Sequence, residues 1–222
     1  MFISFEGGDG GGKTTQLRLL ADALRGAGRE VVATREPGGA PGAEEIRRLV
    51  LEGAPGRWSA VSELLLFNAA RREHLERTIR PALARGAVVL CDRFADSTRV
   101  YQGLGRDSGE GAPPEMVEAL HALVIGLEPD LTLILELPPE EALARAEARM
   151  AGASAAQGGA ESRFERFGAD FQSRVRDGFR ALAAAHPARC RLVDASGAPE
   201  EVQGRIRAAA LPLLPELSRE DA

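Results

Sequence analysis

The segment Gly7-Gly8-Asp9-Gly10-Gly11-Gly12-Lys13-Thr14 fits the spacing G-x-x-x-x-G-K-[ST], directly after the apolar run Phe2 to Phe5 and directly before a segment with helical spacing. Glycines at that density let successive backbone N–H groups turn inward, forming an anion nest at the positive end of a helix where a polyphosphate is stabilised. Lys13 would reach the β- and γ-phosphates, and the Thr14 hydroxyl would ligate Mg²⁺. Lys13 is the only lysine in the chain, and every other basic residue is arginine. A site that needs a compact ammonium on a flexible stem cannot substitute a planar guanidinium. The single lysine also excludes the Asn-Lys-x-Asp motif by which guanine-binding switches usually read their base.

Two further segments carry charge where an open α/β sheet binds ligands, at the carboxyl ends of its strands. Val88-Val89-Leu90-Cys91-Asp92 is an apolar run ending in an acid, the expected place for a carboxylate that serves Mg²⁺. Leu133-Ile134-Leu135-Glu136 competes for that role, and Asp92 is preferred because Arg93 follows it, so that one pair could ligate a metal and clamp a phosphate. Thr34-Arg35-Glu36-Pro37-Gly38-Gly39 follows a second β run, and its Pro-Gly-Gly turn would hold Arg35 firmly enough for a bidentate grip on another phosphate.

The elements that must position these groups follow from alternation along the chain. Short apolar runs at Phe2 to Phe5, Glu30 to Ala33, Ala87 to Cys91, Leu131 to Leu137 and Arg191 to Val193 read as strands. Helical patterns lie between them. Leu17, Leu20, Ala21 and Leu24 share one face of the first helix, which Gly26 and Gly28 end. Val61 to Arg85, Pro114 to Gly126, Glu140 to Met150, Phe164 to Ala185 and Glu200 to Leu211 read as the others. This order predicts βαβ units around a parallel sheet. The Ala/Gly/Ser/Gln-rich stretch Ala151 to Ala160 reads equally as a surface loop or as a lid over an active site.

The chain of 222 residues suits one domain, expected over 1–217 with a frayed tail at 218–222. With 28 Lys+Arg against 33 Asp+Glu the net charge is −5, which argues against nucleic acid and an anionic membrane as partners. Cys91 and Cys190 lie in or beside apolar runs, so no disulfide framework is expected. No basic leader and no membrane-length apolar run is present, and a cytoplasmic, unprocessed protein is the expectation. His74, His121 and His186 sit on helical stretches with no identifiable carboxylate partner and are assigned packing or surface roles.

Gly7 to Thr15, Thr34-Arg35-Glu36-Pro37-Gly38-Gly39, Leu66-Phe67-Asn68-Ala69-Ala70-Arg71, Asp92-Arg93-Phe94 and Tyr101-Gln102-Gly103 together closely resemble the thymidylate kinase family, in that order and at similar separations. The resemblance runs from Phe2 to about Leu211. It implies a three-layer P-loop NTPase fold, with a parallel five-stranded sheet flanked by helices and a mobile lid at about 149–163. It also implies transfer of the γ-phosphoryl of ATP to dTMP with Mg²⁺, and a homodimer. Leu64 to Leu66 could serve such an interface or the core.

Residue by residue, the resemblance puts ATP phosphates on Gly7, Gly8, Asp9, Gly10, Gly11, Gly12, Lys13, Thr14 and Thr15, and metal on Thr14 and Asp92. Arg35 and Arg93 would hold the acceptor's 5′-phosphate, with Ser97 lining the same site. Phe67 would stack on thymine, and Arg71 and Gln102 would meet the base edge. Tyr101 would crowd the 2′ position, and Asp9 would bond the 3′-hydroxyl or organise Mg²⁺. Some family members carry an arginine inside the phosphate loop, where this chain has Gly10. The charge on the transferred group is therefore expected from lid arginines, Arg149 and Arg163 ahead of Arg145 and Arg166. Ser162 stands where many relatives have Asp, and the Gly/Ala-rich stretch is longer than usual. A kinase for another acceptor and a P-loop regulatory ATPase are the rival readings. No general base is expected, because the acceptor is already an oxyanion and positioning with charge stabilisation supplies the catalysis.

Overall fold

A computed structural model describes residues 1–54, 56–104, 111–138, 141 and 168–218. All of the expected helix 140–150 but Glu141, the lid, and Arg145, Arg149, Ser162, Arg163 and Arg166 lie outside them, as does 219–222.

Five strands pair in one parallel sheet of order β2-β3-β1-β4-β5. They are β1 (Phe2–Glu6), β2 (Val31–Arg35), β3 (Val88–Asp92), β4 (Leu131–Glu136) and β5 (Cys190–Asp194). Each expected run is found, shifted by one or two residues at its ends. The shift matters at Arg35 and Asp92, which lie inside their strands as direct partners across β2 and β3.

Side chains on a strand alternate between faces, and the alternation builds two cores. Ile3, Phe5, Val88, Leu90, Leu131, Leu133 and Leu135 face one way. They pack on Leu17, Leu20 and Leu24 of α1 (Lys13–Gly26) and on Val202 and Ile206 of α8 (Pro199–Ala210). Phe2, Val89 and Cys91 face the other way, against Leu75, Ile79 and Phe94. Ile134 on that same side meets Phe171, Val175 and Phe179 of α7 (Gly168–Ala185). Strands buried on both faces read as nearly unbroken apolar runs, which is why the sequence shows them clearly.

The remaining α-helices among the described residues are α2 (Pro41–Leu51), α3 (Ala60–His74), α4 (Arg80–Ala84), α5 (Ala95–Thr98) and α6 (Pro114–Leu120). Two expected long helices are interrupted. Between α3 and α4 the turn Leu75–Ile79 widens to i→i+5 bonding, just before Pro81, which has no N–H to give the carbonyl four residues back. After α6 a similar wide turn, His121–Ile125, ends at Gly126 with φ 59°. Pro215–Ser218 closes the described chain as a 3₁₀ turn.

Candidate active site

The order β2-β3-β1 brings three functional segments to one edge, because the chain leaves all three parallel strands in the same direction. The loop after β1 turns at Gly7 with φ 121°, where a Cβ would stand 2.2 Å from Leu135 O. Only glycine fits that approach. Gly12 caps α1 with φ 79° and no side-chain hydrogen bond, and the first turn holds no acid. The first intrahelical bond runs from Gln16 N to Gly12 O, so the amides of Lys13, Thr14 and Thr15 remain available to an anion.

Lys13 is buried beneath this loop, and its Nζ donates to Gly8 O at 2.7 Å and Gly7 O at 3.3 Å. Burial, followed by repulsion from Arg93, pushes its ammonium down to about 8. Thr14 Oγ1 donates to Asp92 Oδ2 at 2.5 Å, uniting the two expected metal-binding oxygens. Glu136, the competing acid, instead accepts from Arg176 at 3.1 Å and from Arg180.

Arg93 is the only residue other than glycine at positive φ among the described residues, at 70°. That conformation costs about 1–2 kcal/mol for a side chain with a Cβ. Its backbone N–H continues the ladder to Phe5 O. Its guanidinium then reaches four groups. Nη1 donates to Gly7 O at 3.0 Å and Ser97 Oγ at 3.1 Å, while Nη2 donates to Asp9 Oδ1 at 2.7 Å and Tyr101 Oη at 3.3 Å. It also lies 4.9 Å from the centre of the Tyr101 ring.

Beneath Arg93, Glu6 is fully buried and accepts from Phe94 N at 2.7 Å and Ser97 Oγ at 2.5 Å. Burial, reinforced by Asp96, raises its carboxyl to about 7. Sequence reasoning missed this residue. Its signal is an acid closing an apolar run immediately before the glycine loop.

At the end of β2 Arg35 is exposed and meets Glu44 Oε2 at 3.3 Å. Glu44 also accepts from Gly39 N at 2.9 Å, and Arg47 Nη1 donates to Pro37 O at 2.6 Å, so α2 braces the turn that follows Arg35, while Arg35 itself is the last residue of β2. The Glu36-Pro37 bond is cis. Glu36 is buried between Arg71 Nε at 2.6 Å and His74 Nδ1 at 3.0 Å, with His74 Nε2 2.7 Å from Thr34 Oγ1. His121 Nε2 likewise lies 3.0 Å from Glu128. The expectation that these histidines lack carboxylate partners is therefore corrected. The His74 partner is 38 residues away, where local spacing carries no trace of it, whereas the His121 partner lies beyond the turn that ends its helix at Gly126.

Arg71 also donates from Nη2 to Phe94 O at 3.0 Å. Phe67 is buried one turn earlier on α3, in a cluster with Val100 and Tyr101. Gln102 Nε2 donates to Glu63 Oε1 at 3.0 Å. The structure thus places Asp9, Lys13, Thr14, Asp92, Arg93, Ser97 and Tyr101 in one linked cluster, and Arg71 and Gln102 against buried carboxylates that the sequence reading did not single out. A glycine loop ahead of a helix N-terminus, a hydroxyl–carboxylate pair and a rigidly held arginine beside them are the kinds of parts that phosphoryl transfer uses.

Comparison with known proteins agrees. A family model described as Thymidylate kinase matches residues 5–206. A thymidylate kinase of Ruegeria pomeroyi is 60% identical over 194 residues, covering 87% of this chain and 86% of the relative. One from a Jannaschia species is 56% identical over 207 residues, covering 93% and 94%. The crystal structure of thymidylate kinase from Ehrlichia chaffeensis matches with a TM-score of 0.71 and 35% identity, over 97% of this chain and 98% of that one.

Proposed function

Because the chain belongs to the thymidylate kinase family and phosphorylates dTMP to dTDP at the expense of ATP, we propose that the cluster around Arg93 performs the transfer. The observation that carries this reading is the fourfold engagement of Arg93. It ties the loop residues Gly7 and Asp9 to Ser97 and Tyr101 on the acceptor side, and so sets the distance between donor and acceptor.

In this reading Gly7 to Thr15 cradle the triphosphate, and Lys13 swings from its loop carbonyls to the β- and γ-oxygens. Arg35 and Arg93 hold the acceptor's 5′-phosphate with Ser97 beside them, and Asp9 both orients Arg93 and faces the nucleotide. Phe67, Arg71 and Gln102 take the base, and Tyr101 bounds the sugar. An oxygen of the acceptor phosphate attacks the γ-phosphorus while the bond to the β-bridging oxygen breaks. No proton needs to leave the nucleophile. Arg149 and Arg163 of the lid add positive charge to the equatorial oxygens.

Mg²⁺ belongs to the proposal. A hydroxyl and a carboxylate oxygen 2.5 Å apart suit a hard, oxygen-seeking dication, so Thr14 and Asp92 would hold it. When bound it neutralises charge on the β- and γ-oxygens. A single domain over 1–217, a homodimer, a cytoplasmic location and no nucleic-acid partner complete the reading. No described helix is long and apolar enough to cross a membrane.

The test is ADP release from ATP and Mg²⁺ across dTMP, dUMP, UMP, CMP, AMP, thymidine and no acceptor. The rate is expected to rise sharply with dTMP and weakly with dUMP. Stimulation by a different acceptor alone would overturn the pocket assignment.

A further inference from the structure

Glu63, Phe67 and Arg71 follow one another at intervals of four along α3, so they share one helix face, and all three are buried. At one end of this face Glu63 Oε1 lies 3.0 Å from Gln102 Nε2. A carboxylate oxygen accepts, and a side-chain amide donates only through its nitrogen, so this contact decides which way the Gln102 amide faces. The amide oxygen is the branch that Glu63 does not engage, and no described group donates to it. At the other end, Arg71 is fixed through Nε on Glu36 and Nη2 on Phe94 O. Its Nη1 is the guanidinium nitrogen that no described group engages.

The face therefore offers a donor from Arg71 and an acceptor from Gln102, with the Phe67 ring between Glu63 and Arg71 on the helix. Thymine and uracil present the complement, an O4 acceptor beside an N3–H donor. Cytosine presents an N4 donor and an N3 acceptor, and mismatches both.

We propose that Glu63 is a positioning residue that sets base specificity: by accepting from Gln102 Nε2 it keeps the amide oxygen for the pyrimidine N3–H, which admits a thymine or uracil 5′-monophosphate and refuses a cytosine one. This rests on the reading of Phe67, Arg71 and Gln102 as the base-binding residues.

The experiment measures kcat and KM for dTMP and for dCMP in the wild-type chain, Glu63→Gln, Glu63→Asp, and Glu63→Gln combined with Gln102→Glu. Glu63→Gln can itself donate, so the Gln102 amide is free to reverse, and Glu63→Asp withdraws the carboxylate by one methylene. In both, the preference for dTMP over dCMP in kcat/KM is expected to fall about tenfold or more, the weight of one hydrogen bond. The change should lie in the KM for the acceptor, with the KM for ATP and kcat at saturating dTMP nearly unchanged. The combined variant restores an acceptor on the pocket side of residue 102 and should recover the preference, which a merely structural role of Glu63 would not do. An unchanged preference in both single variants, or no recovery in the combined one, overturns the proposal. A wild-type chain that uses dCMP as readily as dTMP would instead overturn the base-pocket reading on which it rests.

Discussion

Arg93 Nη2 donates to Asp9 Oδ1 across 2.7 Å, joining the end of β3 to a loop 84 residues earlier in the chain. Both side chains are partly shielded, at 17% and 28% exposure, so the pair is screened less than a surface ion pair. Because one guanidinium serves Asp9, Gly7 O, Ser97 and Tyr101 at once, its planar fork rather than its charge sets the geometry. Arg93→Lys keeps the charge and loses the fork. We expect kcat/KM for dTMP to fall on the order of a hundredfold or more, as for other misplaced reacting groups. Steady-state kinetics with a lysine variant within tenfold of wild type would show that charge alone suffices.

Lys13 carries a pH dependence. Its ammonium is pushed down to about 8 from an ordinary 10.5, chiefly by burial. The free enzyme should therefore lose kcat/KM for ATP as pH rises through about 8, while bound polyphosphate favours the charged form and moves the fall in kcat to higher pH. Stability moves the other way. Charge on Lys13 is disfavoured in the folded chain, and deprotonation relieves that cost between about 8 and 10.5, so this group adds stability as pH rises there. Lys13→Ala should lower kcat on the order of a hundredfold or more while leaving the melting temperature unchanged or higher. A pH profile flat to 10 would contradict the burial argument.

Glu6 acts with the opposite chemistry. Below its ordinary 4.5 the carboxyl is protonated whether folded or not. Between 4.5 and about 7 only the unfolded chain ionises, so stability falls as pH rises through that window and stays lower above it. The loss is about 3 kcal/mol. Glu6→Gln removes this titration, and chemical denaturation at pH 4.5 and pH 7.5 should show a smaller loss in the variant. Equal losses in both proteins would mean that Glu6 ionises as readily folded as unfolded.

The glycine loop separates two roles. Gly7→Ala places a Cβ against Leu135 O at a φ that disfavours any side chain, whereas a Cβ on Gly8 meets nothing within 4 Å. Gly7→Ala should lose ATP binding and several degrees of melting temperature, and Gly8→Ala should keep both. Calorimetry that shows the two variants alike would place the loop differently.

What the sequence made legible follows from locality. The strands were readable because burial on both faces leaves continuous apolar runs. The glycine loop is legible because its parts are contiguous, and the pairing of Thr14 with Asp92 rather than Glu136 follows from which strand ends beside the loop. The carboxylates that hold the site rigid were not. Glu6 finds Ser97 91 residues later, and Glu36 finds Arg71 35 residues later. Asp96 gathers Arg99 and Thr132 with Arg189, 93 residues away. A buried acid far from its partner in sequence looks like a surface acid until the strands are paired. The wide turns at Leu75–Ile79 and His121–Ile125 escaped because their composition stays helical.

In the proposed mechanism this site moves the terminal phosphoryl of ATP directly to dTMP. The most direct measurement follows γ-labelled ATP with dTMP and Mg²⁺ and separates the products. Direct transfer puts label in dTDP in step with ADP formation, and Lys13→Ala loses it. Label released as inorganic phosphate at a rate indifferent to dTMP would contradict it.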